Sequence, residues 1–422
     1  MNDAIKLAAF VGIDWADTEH TVALRMAGSS NVETSVLLQK PEALADWAVK
    51  LKERFGDRPV GICLEQSRGA LIYALSQYPW LVLYPINPKS SARFRESLYP
   101  SRAKNDPNDA ALLSEFLDKH QDRLRPWRAE DVETRKLRLL LENREKLVDD
   151  RTSLCNRLRA ALKLYFPQAL EWGGPLIKPM SWAFLLKWST LPDLQKVSQK
   201  KFLNFFYAHH VRRGDQINGL YEQVQSAKAL VTDSALVDTS VLLVRSICNQ
   251  LQALQPHIDQ HEAEIEALYA KHPENHLFSD LGGAGKVLGP RLVAAFGSDR
   301  EKYKDAGEVQ KMSGIAPVVE SSGKSAWTHW RWAAPSFLRQ TFHEFAAHSI
   351  PRCAWAKAFY ELQRERGKSH HAAVRSLAFK WIRILFRCWK DNVPYDESRY
   401  VQQLIAHGSP LLKFLIQKPL EA

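Results

Sequence analysis

A change of hydrophobic period near Pro88 does most to limit how this chain can fold. Before it, apolar residues come in short runs. Ala8-Ala-Phe-Val-Gly-Ile-Asp14 reads as a buried strand, Thr21–Met26 as its hairpin partner and Ser35–Gln39 as a third strand. A helix over Pro41–Phe55, a strand over Pro59–Glu65, a helix over Ala70–Ser76 and a strand over Trp80–Tyr84 follow. Neighbouring strands followed by helix-separated strands predict an α/β domain, a mixed sheet flanked by helices. After Pro88 the period is helical, and 422 residues leave room for two or three domains.

The stretch from Glu133 to Phe166 is predicted as one long helix. Leu140, Leu147, Leu154 and Ala161 recur at seven-residue spacing, as do Leu137, Leu158 and Tyr165 with Arg144 and Arg151 between them. Two arginines in such a seam suit a helical hairpin or coiled coil better than a strong dimer zipper. Gly173-Gly-Pro175 and Leu191-Pro192 break the pattern, and a mixed region is expected to about Ala235. A second long helix, about Ser240–Ala270, is expected to pack back on the first and to end at His272-Pro273. The expected domains are thus 1–128, a helical linker region over 129–275 with extra length near 173–235, and a mainly helical 276–422.

Charge narrows the class of partner. The net charge is +11, and Lys324–Lys390 alone holds 13 Lys/Arg against Glu344, Glu361 and Glu365, with six of the 13 tryptophans. A basic, aromatic-rich segment suits a polyphosphate chain with stackable bases; a solvated face over a Trp-filled core is the plainer alternative. Cys63, Cys155, Cys248, Cys353 and Cys388 are scattered without a C-x-x-C pair, which argues against a disulfide framework or zinc site and suits a reducing cytoplasm. No signal pattern opens the sequence, and no run approaches the roughly 18 apolar residues of a membrane span.

Acids at three places carry the chemistry. Asp14 ends the first strand, Glu65 ends a later one, and Asp106-Pro-Asn-Asp109 opens a helix with Pro107 in its first turn. Asp106 and Asp109, three apart, can project from one side of that helix start. Singly, Asp14 reads as a turn residue and Asp106 as an N-cap. The order strand-Asp, strand-Glu, helix Asp-x-x-Asp is that of RNase H-like nucleases. Such a set can hold two Mg²⁺ about 3.5–4 Å apart for in-line phosphodiester displacement.

Two later segments add to this. Leu281-Gly-Gly-Ala-Gly285-Lys286 and the residues that follow, to Ala295, resemble a helix–hairpin–helix, in which Gly283, Gly285 and Lys286 would approach a phosphate. A glycine-rich turn between helices is the alternative. Ser313-Gly-Ile-Ala-Pro317-Val-Val-Glu-Ser321-Ser322-Gly323-Lys324 reads as an apolar turn ending in small exposed residues, where a serine is ordinarily a loop residue. Gly323-Lys324-Ser325 and Gly367-Lys368-Ser369 lack the upstream glycine of a phosphate-binding P-loop, so an ATPase reading fails.

Gly12-Ile-Asp14, Leu64-Glu65 and Lys104-Asn-Asp106-Pro-Asn-Asp109-Ala110, with Gly314-Ile-Ala-Pro317 and Ser321-Ser322-Gly323, resemble the motifs of the IS110 family of insertion-sequence transposases. These are also called bridge recombinases and are related to Piv-type invertases. The resemblance implies a RuvC-like (RNase H-like) domain whose Asp14, Glu65, Asp106 and Asp109 bind Mg²⁺. It implies a serine that attacks DNA and holds it as a phosphoserine ester, and a structured bridge RNA that pairs with donor and target DNA. Spacing from Pro317 favours Ser322 over Ser321. Asn105 stands where the family usually has threonine, and Lys324 where it has a second glycine. Candidate nucleic-acid contacts, chosen for charge and location, are Lys324, Arg331, Arg339, Lys368 and Arg375, and a homodimer or tetramer is expected. The alternatives are a junction-resolving nuclease that uses the same acids with water, and a non-catalytic nucleic-acid scaffold.

Overall fold

The computed structural model describes residues 5–66, 68–98, 106–323, 325–332 and 334–413, with the backbone alone of 98 and 106–108. The chain divides into two compact units, Met1–Ala129 and Glu130–Ala422.

In the first unit, among the described residues, β1 (Ala9–Asp14), β2 (Glu19–Met26), β3 (Val32–Leu38), β4 (Val60–Leu64) and β5 (Leu81–Pro85) form one sheet in the order β3-β2-β1-β4-β5. The first three strands are antiparallel, whereas β1, β4 and β5 run parallel. The mixed sheet is therefore as expected. Helices α1 (Pro41–Phe55), α2 (Ala70–Leu75), α3 (Pro88–Leu98) and α4 (Asp106–His120) complete the unit.

Alternation along the strands decides which face each residue serves. Ala9, Val11 and Ile13 of β1 join Ile62 and Leu64 of β4 in one core. Phe10 of β1 and Cys63 of β4 join Leu113 and Leu117 of α4 in another. Gly12 shares the α4 face, and a Cβ there would lie 2.0 Å from the Ala110 carbonyl oxygen. Only glycine lets α4 lie this close to the central strand.

In the second unit α5 (Val132–Tyr165) is the predicted long helix, capped by the Asp131 side chain on the Thr134 amide. The region predicted as mixed is instead helical: α6 (Ala169–Trp172), α7 (Pro179–Lys187), α8 (Leu191–Gln195), α9 (Gln199–Ala208) and α10 (Gly214–Ser226). These helices pack Trp182, Phe184, Trp188, Phe202 and Phe206 against the C-terminal part of α5. The second long helix, α11 (Ser234–Lys271), runs antiparallel to α5, with Arg144 at 2.6 Å from Glu262 and Arg151 donating to Gln255 at 2.9 Å. The two seam arginines thus make polar contacts across the helical hairpin. Apolar burial lies on either side, with Leu137 and Leu141 in one core and Cys155, Leu158 and Tyr165 in the other.

Next come α12 (Asn275–Phe278), α13 (Gly285–Phe296), α14 (Ala306–Met312), β6 (Val318–Ser322), β7 (Ser325–His329), α15 (Ser336–Ser349), α16 (Ala354–Glu365), α17 (His370–Asp391) and α18 (Glu397–Ala406). Buried Trp355, Trp381 and Trp389 fill the core that α13, α15 and α17 share. No helix among the described residues is long and apolar enough to cross a membrane.

Candidate active site

The parallel register pairs Ile13 with Leu64, so Asp14 and Glu65 follow at adjacent strand ends. Asp14 shares the parity of Phe10 and Gly12, and Glu65 that of Cys63, so both belong to the face that α4 covers. Asp109, only 5% exposed, precedes the Ala110 whose carbonyl lies over Gly12. Three of the four predicted acids are thereby carried to one end of β1 and β4 and to the helix resting on them. The side chain of Asp106 lies outside the described residues.

Helix α3 supplies two partners that sequence reasoning did not single out. Ser91 Oγ donates to Glu65 Oε1, and Arg95, one turn on, lies 2.8 Å from Asp109 Oδ1. Burial, and secondarily the Glu65 charge, pushes the Cys63 thiol far above its ordinary range, so Cys63 is an inert core residue. Among the described residues no group of three or more His, Cys, Asp or Glu side chains is gathered as a metal cluster. The donor chemistry still fits a hard divalent cation: these are oxygen ligands, and the buried Asp109 already draws a positive partner.

The serine segment is not the turn that its small residues predict. Ser322 ends β6 in an antiparallel hairpin with β7, paired with Ser325, while Ser321 pairs with Ala326. Both serines are exposed, and strand alternation sends them to opposite faces. Ser322 shares its face with Glu320, Trp327 and His329. His329 is partly exposed, with Nε2 at 2.8 Å from Glu320 and Nδ1 at 2.8 Å from the Trp330 carbonyl. Both partners are oxygen acceptors, so the ring is satisfied with a proton on each nitrogen. The Glu320 hydrogen bond, then the Trp330 carbonyl, raises the His329 pKa against smaller opposing effects of desolvation and then Arg331. This pair does not serve Ser322 as a base, for at about 3.3 Å per residue Glu320 lies roughly 7 Å back along the strand.

The expected nucleic-acid contacts fall into two groups. Arg339 donates to the carbonyls of Arg331, Trp332 and Ala334 at 3.0, 3.4 and 3.2 Å, and so braces the loop after β7. Arg375 lies 3.0 Å from the centre of the Trp330 ring, and burial, then Arg339, lowers its pKa. Arg331 is half-buried, Lys368 donates to Ser376 from an exposed position, and Lys324 lies outside the described residues. In the first turn of α13, Lys286 pairs with Glu266 on the surface. A Cβ on Gly283, at φ +95°, would lie 2.7 Å from the His348 carbonyl, so this glycine serves packing against α15. Gly285, at φ +52°, faces open space, and the helix before this turn, α12, is a single turn.

Two family models match the segments of the chain that carry these residues. Residues 11–167, which hold all four acids, match a DEDD model named for IS110 and described as a transposase. Residues 275–361, which hold the glycine turn and the serine hairpin, match the model described as the transposase IS116/IS110/IS902 family. The IS117 mini-circle protein of Streptomyces coelicolor is 26% identical over 94% of this chain and 98% of its own length. An IS110 protein of the same organism is 24% identical over 94% and 97%. An IS900 protein of Mycobacterium paratuberculosis is 26% identical over 71% and 75%. With both models in order and relatives similar over nearly their whole length, the chain belongs to the IS116/IS110/IS902 family of insertion-sequence transposases.

Proposed function

We propose that this transposase cuts and rejoins DNA with Ser322 as nucleophile and with Asp14, Glu65, Asp106 and Asp109 as Mg²⁺ ligands on an RNase H-like domain. The observation that carries this reading is the placement of Asp14 and Glu65 at adjacent parallel strand ends, on the face where α4 presents Asp109. The strand order β3-β2-β1-β4-β5, antiparallel then parallel, supports the RNase H-like assignment.

When bound, Mg²⁺ would stabilise charge on the phosphodiester oxygens as they react. The chain's own parts do the rest. Ser322 Oγ loses its proton and bonds to phosphorus as the bond to one strand end breaks, and the departing oxygen takes up a proton. The ester keeps the phosphodiester linkage, so attack by a hydroxyl of another strand reverses the step and releases the serine. A structured bridge RNA would align donor and target DNA, and a homodimer or tetramer would hold the ends together. The +10 balance of Lys324–Lys390 supports a polyanionic partner.

Asp14→Asn, Glu65→Gln, Asp106→Asn and Asp109→Asn should each abolish Mg²⁺-dependent strand cleavage in a protein that still folds by circular dichroism. Full activity in any two of the four overturns the site. Sequencing RNA that copurifies with the protein tests the guide: recovery of no discrete structured RNA contradicts it.

A further inference from the structure

The six tryptophans of the basic segment divide sharply. Trp355, Trp381 and Trp389 are core, whereas Trp327, Trp330 and Trp332 cluster at the serine hairpin, 48%, 37% and 75% exposed. Trp330 is already occupied, with Arg375 at 3.0 Å and Arg339 at 5.8 Å from its ring centre. Among the described residues no ring or cation lies over Trp327 or Trp332. Register fixes where Trp327 stands: it pairs with Glu320, two residues along β7 from the Ser325 that pairs with Ser322. Paired residues share a face, so an open indole lies on the same face as the serine, roughly 7 Å along the strand. His329 stands on that face beyond the indole, paired with Glu320 through Nε2.

We propose that this face of the β6–β7 hairpin is a stacking platform for unpaired bases, with Trp327 beneath the base next to the phosphate that Ser322 attacks and Trp332 beneath a further one. The chemistry of this face favours nucleic acid over a protein partner. Large exposed aromatic faces amid a strong positive excess suit bases strung on phosphates, and stacking is tolerant of sequence. Base pairs in a duplex hide their faces, so such a platform selects DNA that is locally melted at the cut. The proposal rests on Ser322 being the nucleophile for its position along the strand, but not for the binding itself.

The test uses the full chain in EDTA, with fluorescence anisotropy on a single-stranded oligonucleotide and on its duplex. Trp327→Ala should weaken single-strand binding on the order of 10- to 100-fold, as loss of one stacked base does. It should weaken duplex binding much less, and Trp327→Phe should keep most of the affinity. Binding in EDTA needs no nucleophile, so the platform stands or falls on this measurement whatever the role of Ser322. Unchanged single-strand binding in Trp327→Ala overturns the proposal, as does an equal loss for both DNA forms. A Trp327→Ala chain that changes sedimentation but not DNA binding would assign the face to a second copy of this chain instead.

Discussion

Arg95 holds Asp109 at 2.8 Å, so the most buried described carboxylate of the site is neutralised by an arginine from the neighbouring helix. Carboxylates brought toward one place repel one another, and a cation beside Asp109 offsets part of that cost within the protein itself. Arg95→Gln removes this cation from a buried carboxylate. Breaking a buried pair costs about 3–5 kcal/mol, and because the Arg95 side chain is a fifth exposed the lower end applies, about 3 kcal/mol. Urea unfolding of the metal-free chain measures it, and a loss near zero would contradict the pairing. Added Mg²⁺ should raise the melting temperature of Arg95→Gln more than that of the parent chain.

The Glu320–His329 pair sets a pH dependence with a definite sign. The folded His329 pKa lies above the ordinary 6.5, chiefly because the ring donates to Glu320. A raised histidine pKa adds stability that is full below the unfolded value and is lost as pH rises through the folded value. The hairpin therefore holds its order in mildly acidic solution and loosens above the raised pKa. Nuclear magnetic resonance titration should find the wild-type value above 6.5, and Glu320→Gln should bring it back down. A wild-type value at or below 6.5 would contradict the pair.

Salt dependence separates surface cations from internal ones. If the C-terminal segment neutralises about six phosphates, affinity should fall by roughly 10³ between about 50 and 200 mM salt. Lys368→Gln should lower the slope of log affinity against log salt by about one. Arg339→Gln should act through folding, because its guanidinium is committed to three backbone carbonyls. Its effect belongs in the melting temperature, and a clean change of slope at constant stability would place Arg339 on the DNA.

Asp14 and Glu65 were legible in the sequence because period-2 alternation and a strand end fix both position and face. Ser91 and Arg95 were not, since their contacts to Glu65 and Asp109 depend on how α3 lies against the strand ends and α4. The 173–235 region reads as broken because of its prolines, yet Pro179 and Pro192 sit in the first turns of α7 and α8, where proline favours a helix start. The β6–β7 hairpin escaped notice for a different reason. Both strands expose nearly every residue, so Val-Val-Glu-Ser-Ser and Ser-Ala-Trp-Thr-His show no buried alternation. Its register nonetheless distinguishes Ser321 from Ser322 by face, which the motif alone could only do by spacing.

Trapping the protein on a suicide DNA substrate in the presence of Mg²⁺, followed by denaturing electrophoresis, tests whether Ser322 is the nucleophile. The parent chain and Ser321→Ala should both carry covalently bound DNA, and Ser322→Ala should carry none. Under the proposal that the acidic site and the serine serve one reaction, the Asp14→Asn chain should also form no adduct. An adduct that persists in Ser322→Ala would move the nucleophile to another residue, and cleavage by that variant at the parent rate without any adduct would point to water; either result rules out Ser322.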